Sequence, residues 1–180
     1  MLTITIPGDE YFDNDTEEFV TVGDVVLELE HSLATLSKWE SEFEKPFLGK
    51  EEKTSEEVLS YVKCMIQTQN YPAGVFDRLS DKNVEEISAY IDSKMSATWF
   101  NDAPNAPKSR EVITAELIYY WMIQFGIPME CENWHLNRLF TLIKVCNLKQ
   151  EKPQKMSRSE VAKRNRELNA QRKAQTGTRG

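Results

Sequence analysis

The chain contains no long apolar run and no glycine-rich phosphate loop, and each absence excludes a class of protein. No stretch approaches the roughly 18 apolar residues of a membrane-spanning helix, since the longest candidate, Ala115–Phe125, contains Glu116 and Gln124. No basic segment precedes an apolar stretch near Met1, so we expect no secretory signal. The seven glycines form neither a GxGxxG nor a GxxxxGKS/T pattern, which argues against nucleotide binding at a phosphate loop.

Cysteine is scarce. The three cysteines, Cys64, Cys131 and Cys146, are too few and too scattered for a disulfide framework. An odd number of cysteines without an export signal is typical of a reducing compartment such as the cytosol. Each cysteine has apolar neighbours, so we interpret all three as small apolar residues on helix faces.

Apolar and charged residues are both abundant. Hydrophobic residues make up 40% of the 180 residues, enough for a core, so whole-chain disorder is excluded. The net charge of −7 conceals an asymmetry, because residues 149–180 contain ten Lys or Arg and three Glu, which leaves −14 for residues 1–148. The acidic part repels nucleic acid and anionic membranes, whereas the basic tail can attract either of them. The tail can equally lie on the acidic surface of its own body or of a neighbouring copy.

The alternation of residues near the N-terminus predicts a small antiparallel sheet or β-ribbon over residues 1–30. Leu2–Ile6 alternates apolar residues with threonines, which is the pattern of a half-buried strand. An acidic turn is predicted at Asp9–Glu18. Further strands are predicted at Phe19–Val22 and Val25–Leu29.

Beyond Glu30 the apolar period becomes helical. Residues 31–148 are predicted to form a body of about five helices, so the expected fold is mainly α, a helical bundle with the β-ribbon packed on it. Ser32 is a candidate cap for the first helix, Thr54 and Glu57 have capping-box spacing, and the third helix is expected to begin at Ser80. The predicted inner faces are Val58, Leu59, Val62, Met65 and Ile66 in the second helix and Val84, Ile87, Tyr90 and Ile91 in the third.

The fourth helix is the most apolar. We expect Ser109 to cap it, Gly126 to end it, and its apolar residues to make it the buried central helix. These residues are Val112, Ile113, Leu117, Ile118, Tyr120, Trp121 and Ile123. The fifth helix is predicted from about Asn133 to Asn147.

The apolar content falls sharply after Lys149. Residues 149–180 are therefore predicted to be a basic C-terminal tail with a sixth helix that starts at Ser157 or Ser159. This helix has too few apolar residues to stabilise itself by burial. It is either loosely ordered or ordered by a partner.

One spacing suggests a metal site. Cys131 and His135 are four residues apart, as two ligands on one helical face would be. A closed site needs four ligands, and the only other histidine, His31, lies at the junction of a strand and a helix. We therefore interpret Cys131 as a buried thiol and His135 as an imidazole on a helix surface. No nucleophile elbow or oxyanion loop is present either, so we predict no metal, no cofactor and no enzymatic activity.

Helices four and five, joined by the turn Phe125–Pro128, resemble a DNA-binding helix-turn-helix in outline. The fifth helix carries residue types that can contact base edges, namely Asn133, His135, Asn137 and Arg138. However, Glu130 and Glu132 would face the phosphates at the front of the supposed recognition helix. Two antiparallel core helices are the more frequent meaning of such a pattern, so nucleic acid is not the expected partner.

Two groups of residues are candidates for binding a partner protein. The first group is Tyr119, Tyr120, Trp134 and Arg138, because surplus aromatic and arginine residues suit an interface. The alternative for Arg138 is a structural stacking pair with Trp134 at the edge of the core. The second group lies on the basic tail and comprises Lys163, Arg164, Arg166, Arg172 and Lys173.

Several segments resemble a known family. They are SATWF at 96–100 with KSREVITAELIYYWMI at 108–123, WHLNRL at 134–139 and AKRNRELN at 162–169, together with the LTITIPG start. Together they resemble the tail assembly chaperones of long-tailed, siphovirus-type bacteriophages, small proteins encoded in tail gene clusters. The resemblance covers nearly the whole chain. The resemblance implies a role for the chain but identifies no functional residues.

The resemblance implies a protein that works in the host cell cytoplasm and is absent from the mature virion. Tail assembly chaperones keep the long, largely helical tape-measure protein soluble while the tail tube polymerises. Such a protein needs an apolar groove, expected here from helices four and five, and a charged exterior. The basic tail would contact an acidic stretch of the client or a neighbouring copy. The resemblance also implies a frameshifted longer form, of which this chain would be the short counterpart.

Two other functions stay open. One is a structural minor tail protein or a protein of the head–tail junction. The other is a nucleic-acid-binding phage regulator that acts through the basic segment Lys163–Lys173.

Overall fold

The computed structural model describes residues 1–13, 18–100, 111–150 and 158–176, which fall into two compact units, Met1–Cys146 and Asn147–Gly180. The strands are β1 (Leu2–Ile6), β2 (Asp9–Asp13), β3 (Glu18–Val22) and β4 (Val25–Leu29). The α-helices are α1 (Leu33–Phe43), α2 (Ser55–Met65), α3 (Asp81–Asp92), α4 (Ala115–Phe125), α5 (Leu136–Gln150) and α6 (Arg158–Thr176). The mainly helical fold with a small antiparallel sheet at the N-terminus is confirmed.

The strands form a two-stranded antiparallel ribbon in two sections. β1 pairs with β4 from Leu2 opposite Leu29 to Ile6 opposite Val25, and β2 pairs with β3 beyond it. Alternate side chains of the first section are buried, as the period of two requires. Gly8 lies where the sections meet, and a Cβ there would collide with the backbone of the opposite strand.

The acidic turn predicted at Asp9–Glu18 is wrong at both ends. Asp9–Asp13 is strand β2, and Glu18 is the first residue of β3. Strand propensity is low for acidic residues, but the backbone hydrogen bonds to β3 outweigh it. Residues 14–17 of the predicted turn lie outside the described part of the chain.

The segment from Glu28 to Ser32 joins the ribbon to two helices. The backbone N–H of Glu30 donates to the carbonyl of Met65 at 2.8 Å, and that of Gln67 donates to Glu28 at 2.8 Å. These bonds attach the C-terminal end of α2 to β4. The N–H of Leu136, the first residue of α5, donates to the carbonyl of His31 at 2.7 Å.

The first three helices begin where their caps predict. The Ser32 hydroxyl accepts from the Thr35 N–H at the start of α1. Thr54 and Glu57 form a capping box at the start of α2. Ser80 caps α3 in the same way, with Asn83 as its reciprocal partner. Such caps satisfy backbone N–H groups that have no partner inside the helix.

The prediction that helix four is the buried central helix is wrong. Its cap is Thr114, while the predicted cap Ser109 lies outside the described residues. Only Ala115, Ile118 and Met122 of α4 are buried, whereas Tyr120 is 57% exposed and Ile123 70% exposed. α4 packs on α1, so the core covers one face of the helix and leaves the opposite face to solvent.

The fifth helix begins later than predicted. Met129–Asn133 forms a short 3-10 helix, and α5 starts only at Leu136. A second 3-10 helix, Val75–Arg78, precedes α3. Sequence periodicity detects such single turns poorly, because they are too short to show a repeat.

Substitution of two tryptophans that differ in burial tests the position of the core. Trp39 is 1% exposed, and its indole N–H donates to the carbonyl of Glu57 at 2.8 Å, whereas Trp121 is only partly buried. We expect Trp39→Ala to lower the free energy of unfolding by about 3–5 kcal/mol and Trp121→Ala by less than half of that. Urea unfolding measures both. Equal losses would contradict this description of the core.

Candidate functional site

An open apolar groove lies between α2 and α3. Its volume is about 390 Å³, and nine of its twelve lining residues are apolar or aromatic. Val58 on α2 and Val84 on α3 line it and are 49% and 51% exposed. The other lining residues are Phe47, Lys53, Ser55, Leu59, Tyr61, Val62, Leu79, Ile87, Ser88 and Ile91. Half-exposed valines beside a concave apolar surface are typical of a site that binds another apolar group.

Different anchors hold the two walls of the groove. α2 packs on α1, and the carboxylate of Glu57 accepts from the Lys45 ammonium at 2.7 Å and from the Thr54 N–H at 2.9 Å. α3 packs on β1, where the Asn83 side-chain amide donates to the carbonyl of Thr5 at 3.1 Å. The gap between the helices therefore follows from their separate attachments.

Two stacked rings lie at one end of the groove. The rings of Phe47 and Tyr61 stack with centroids 3.8 Å apart, and the Lys53 ammonium lies 4.7 Å from the centroid of Phe47. Hydrogen bonding to Lys45 and to the backbone of Thr54 holds the pKa of Glu57 below its ordinary value, so Glu57 stays ionised beside the groove. The stacked rings of Phe47 and Tyr61 give this end of the groove an aromatic wall.

The groove helices are acidic. α2 and α3 together contain six Asp or Glu and two Lys, a net charge of −4. Glu56, Asp81, Glu85 and Asp92 are exposed. Among the described residues, no cation is within ion-pairing distance of any of these four carboxylates. A basic partner would therefore approach an apolar strip with a negative border.

This groove is not at the place that the sequence predicted. We expected it between helices four and five, yet it lies between α2 and α3. Val58 and Val84, expected on inner faces, form its half-exposed edges. The pattern of apolar residues identified both helices correctly, but it does not show whether two apolar faces meet each other or stay apart.

The predicted aromatic and arginine candidates lie outside this groove. The Tyr119 hydroxyl donates to Glu132 at 2.7 Å, and Tyr120 is exposed on α4. The Arg138 guanidinium lies 4.1 Å from the ring centroid of Trp134, as the stacking interpretation predicts. The candidates on α6 are exposed, and they are Lys163, Arg164, Arg166, Arg172 and Lys173.

A buried polar cluster lies beside the apolar core. His31 Nδ1 is 2.5 Å from the Tyr61 hydroxyl, and the rings of His31 and His135 have centroids 5.1 Å apart. His135 Nε2 is 3.0 Å from the carbonyl of Tyr90, which can only accept, so Nε2 carries a hydrogen. His135 Nδ1 accepts from the Asn137 N–H at 3.3 Å, which is consistent with a neutral ring.

The surface position predicted for His135 is therefore wrong. The ring is buried, and both of its nitrogens have protein partners. The Asn137 side chain donates to the carbonyls of Ile91 and Ser93, each at 2.9 Å. The supposed recognition helix thus uses two of its four candidate base-contacting residues, His135 and Asn137, to hold the end of α3.

The thiols and the imidazoles of this region are arranged as structural groups. Burial raises the pKa of Cys64 and of Cys131, which keeps both thiols protonated near neutral pH. Burial, together with the neighbouring His135, lowers the pKa of His31 to about 4. Within the described ranges, no group of three or more His, Cys, Asp or Glu side chains is placed to hold a metal ion.

The comparisons with known proteins add no relative. No protein-family model matches the chain, and neither the characterised proteins nor the solved structures contain a match. In the described part of the chain, no helix has both the length and the apolar character needed to cross a membrane. The groove and the residues around it are therefore the features of the described chain that bear on function.

The buried imidazoles predict a specific pH dependence. The folded-state pKa of His31, about 4, is below its unfolded value of 6.5, so its stabilising contribution is complete above pH 6.5 and is lost as the pH falls. We expect His31 to account for a loss of about 2 kcal/mol of unfolding free energy between pH 7 and pH 5. His135, whose pKa is also lowered by burial, adds to the loss.

Urea unfolding at several pH values measures this effect. In the variant His31→Gln, which cannot titrate in this range, the loss between pH 7 and pH 5 should be clearly smaller than in the wild type. Equal losses in the two proteins would show that His31 is not held in its neutral form by the fold.

Proposed function

We propose that this protein is a bacteriophage tail assembly chaperone that binds and solubilises the tape-measure protein in the host cell cytoplasm. The observation that carries the proposal is the open groove between α2 and α3, with its apolar lining and half-exposed valines. The resemblance of the chain to tail assembly chaperones supplies the identity of the client. The work of such a protein is reversible binding, so the proposal includes no enzymatic step.

The dimensions of the groove suit a helical client. α2 has 11 residues and α3 has 12, so each is about 17 Å long, or roughly three helical turns. A helix lying along them would place apolar side chains at i, i+3 or i+4, and i+7 into the groove. The long helical tape-measure protein provides many such segments.

The charge around the groove supports reversible binding. The acidic groove helices and the −14 charge of residues 1–148 keep an apolar surface soluble while no client is present. The same charge favours client segments with basic residues beside their apolar stripe. It opposes phosphate backbones, so nucleic acid remains the weaker candidate partner.

Two alternative functions make different predictions. A structural minor tail or head–tail junction protein would be present in purified virions, whereas a chaperone would be missing from them. A nucleic-acid regulator acting through α6 would bind duplex DNA in a salt-dependent way. The net charge of +4 on α6 favours this second alternative over a DNA-reading role for α5, where His135 and Asn137 have internal partners.

A charged substitution in the groove tests the proposed function. Co-expression with the tape-measure protein should yield a soluble complex, and Val84→Asp should weaken that complex at least about tenfold, because it places an unpaired carboxylate in an apolar contact. Ile123→Asp is the matched control, since Ile123 is an exposed apolar residue on α4, outside the groove. Pull-down yield and titration with client segments measure the effect.

The control also locates the site. If Ile123→Asp abolishes binding while Val84→Asp leaves it intact, the client binds at α4 and the groove is not the site. If the wild-type chain fails to keep the tape-measure protein soluble, the proposed function itself is contradicted.

A further inference from the structure

α6 is a helix whose described side chains bury almost nothing. It spans 19 residues and carries six Lys or Arg and two Glu, a net charge of +4. Residues 163–173 are exposed throughout, including Leu168 at 40%. Arg164 and Arg172 are four residues before and after Leu168, so helical spacing places all three on one face. A helix of this kind gains stability mainly from a partner.

The groove between α2 and α3 has the complementary character. Its two helices carry −4 against the +4 of α6. The nearby lysines have cation–π contacts within the protein. The Lys53 ammonium lies over the ring of Phe47, and that of Lys63 lies 5.3 Å from the ring centroid of Phe76. Lys82 lies 3.8 Å from Glu86. These contacts leave the lysine charges in place, but α2 and α3 together keep a net charge of −4, and Glu85 and Asp92 of α3 are exposed.

The spacing of two carboxylates on α3 matches the spacing of two arginines on α6. Glu85 and Asp92 are seven residues apart on α3, about 10 Å along the helix axis, and Val84 and Ser88 of the groove lie between or beside them. Arg164 and Arg172 are eight residues apart on α6, about 12 Å, with Leu168 midway. Two arginines can thus reach two carboxylates while one leucine enters the groove.

We propose that α6 of one molecule docks in the groove between α2 and α3 of a second copy, with Leu168 in the apolar strip and Arg164 and Arg172 near Glu85 and Asp92. Both surfaces are on the same polypeptide, so the contact is heterologous and links copies head to tail. This contact covers the client groove between binding events. That role for the contact rests on the proposed function.

The composition of α6 makes it a weakly bound occupant of the groove. Leu168 is the one large apolar side chain among residues 163–173, whereas the groove offers nine apolar or aromatic lining residues. A client helix with three or four apolar anchors therefore displaces α6 readily. The attraction between α6 and the groove is largely electrostatic, so salt should weaken it strongly.

Analytical ultracentrifugation of the full chain without client tests the proposal. We expect reversible self-association at an ionic strength on the order of 0.05 M, with the dissociation constant at least tenfold higher at about 0.5 M. The double variants Arg164→Glu/Arg172→Glu and Glu85→Arg/Asp92→Arg should each be monomeric at low salt. Mixing the two variants should restore association, because the reversed α6 of one variant then meets the reversed groove of the other.

The matched control is Lys163→Glu/Arg166→Glu, which makes the same change of charge on the other side of α6. This control should keep most of the self-association. A wild-type chain that stays monomeric at low salt, a control that dissociates as fully as Arg164→Glu/Arg172→Glu, or a mixture that does not associate would each overturn the proposal. The measurement contains no client, so its outcome is independent of whether the chain binds the tape-measure protein.

Discussion

The hydrogen bonds of the segment Glu28–Ser32 join the N-terminal ribbon to α2 and α5. This segment ends β4, receives the N–H of Gln67 beyond α2, and gives the His31 carbonyl to the first N–H of α5. β1, paired with β4, in turn carries α3 through the bond from Asn83 to Thr5. α2 and α3 are therefore attached to the ribbon at separate points, and the groove is the space that these attachments leave open.

The buried polar cluster beside this segment explains why the chain has histidines without evident chemistry. His31 and His135 lie with their rings together between α2, α3 and the start of α5, and each has a hydrogen-bond partner. Burial keeps the rings neutral, because a charged imidazole would lose its hydration there. Their contacts fix the positions of the start of α5 and the end of α3.

Much of the fold could be predicted from local patterns. The caps at Ser32, Thr54 and Ser80 and the alternation in Leu2–Ile6 act over a few residues, so the sequence shows them directly. The burial of α4 and the position of the groove could not be predicted, because they depend on which apolar faces meet in space. Ile123 and Val84 look like core residues by spacing, yet no helix of the described chain covers them fully. The same limit applies to His135, whose burial is set by α3, more than forty residues earlier in the chain.

The proposed function places a helix of the tape-measure protein in the space between α2 and α3. Hydrogen exchange of the full chain with and without this protein locates the bound helix, because a bound helix slows exchange where it covers the surface. We expect client binding to slow exchange in Ser55–Met65 and Asp81–Asp92 and to leave Ala115–Phe125 unchanged. Slowed exchange confined to Ala115–Phe125 and Leu136–Gln150 would contradict this placement.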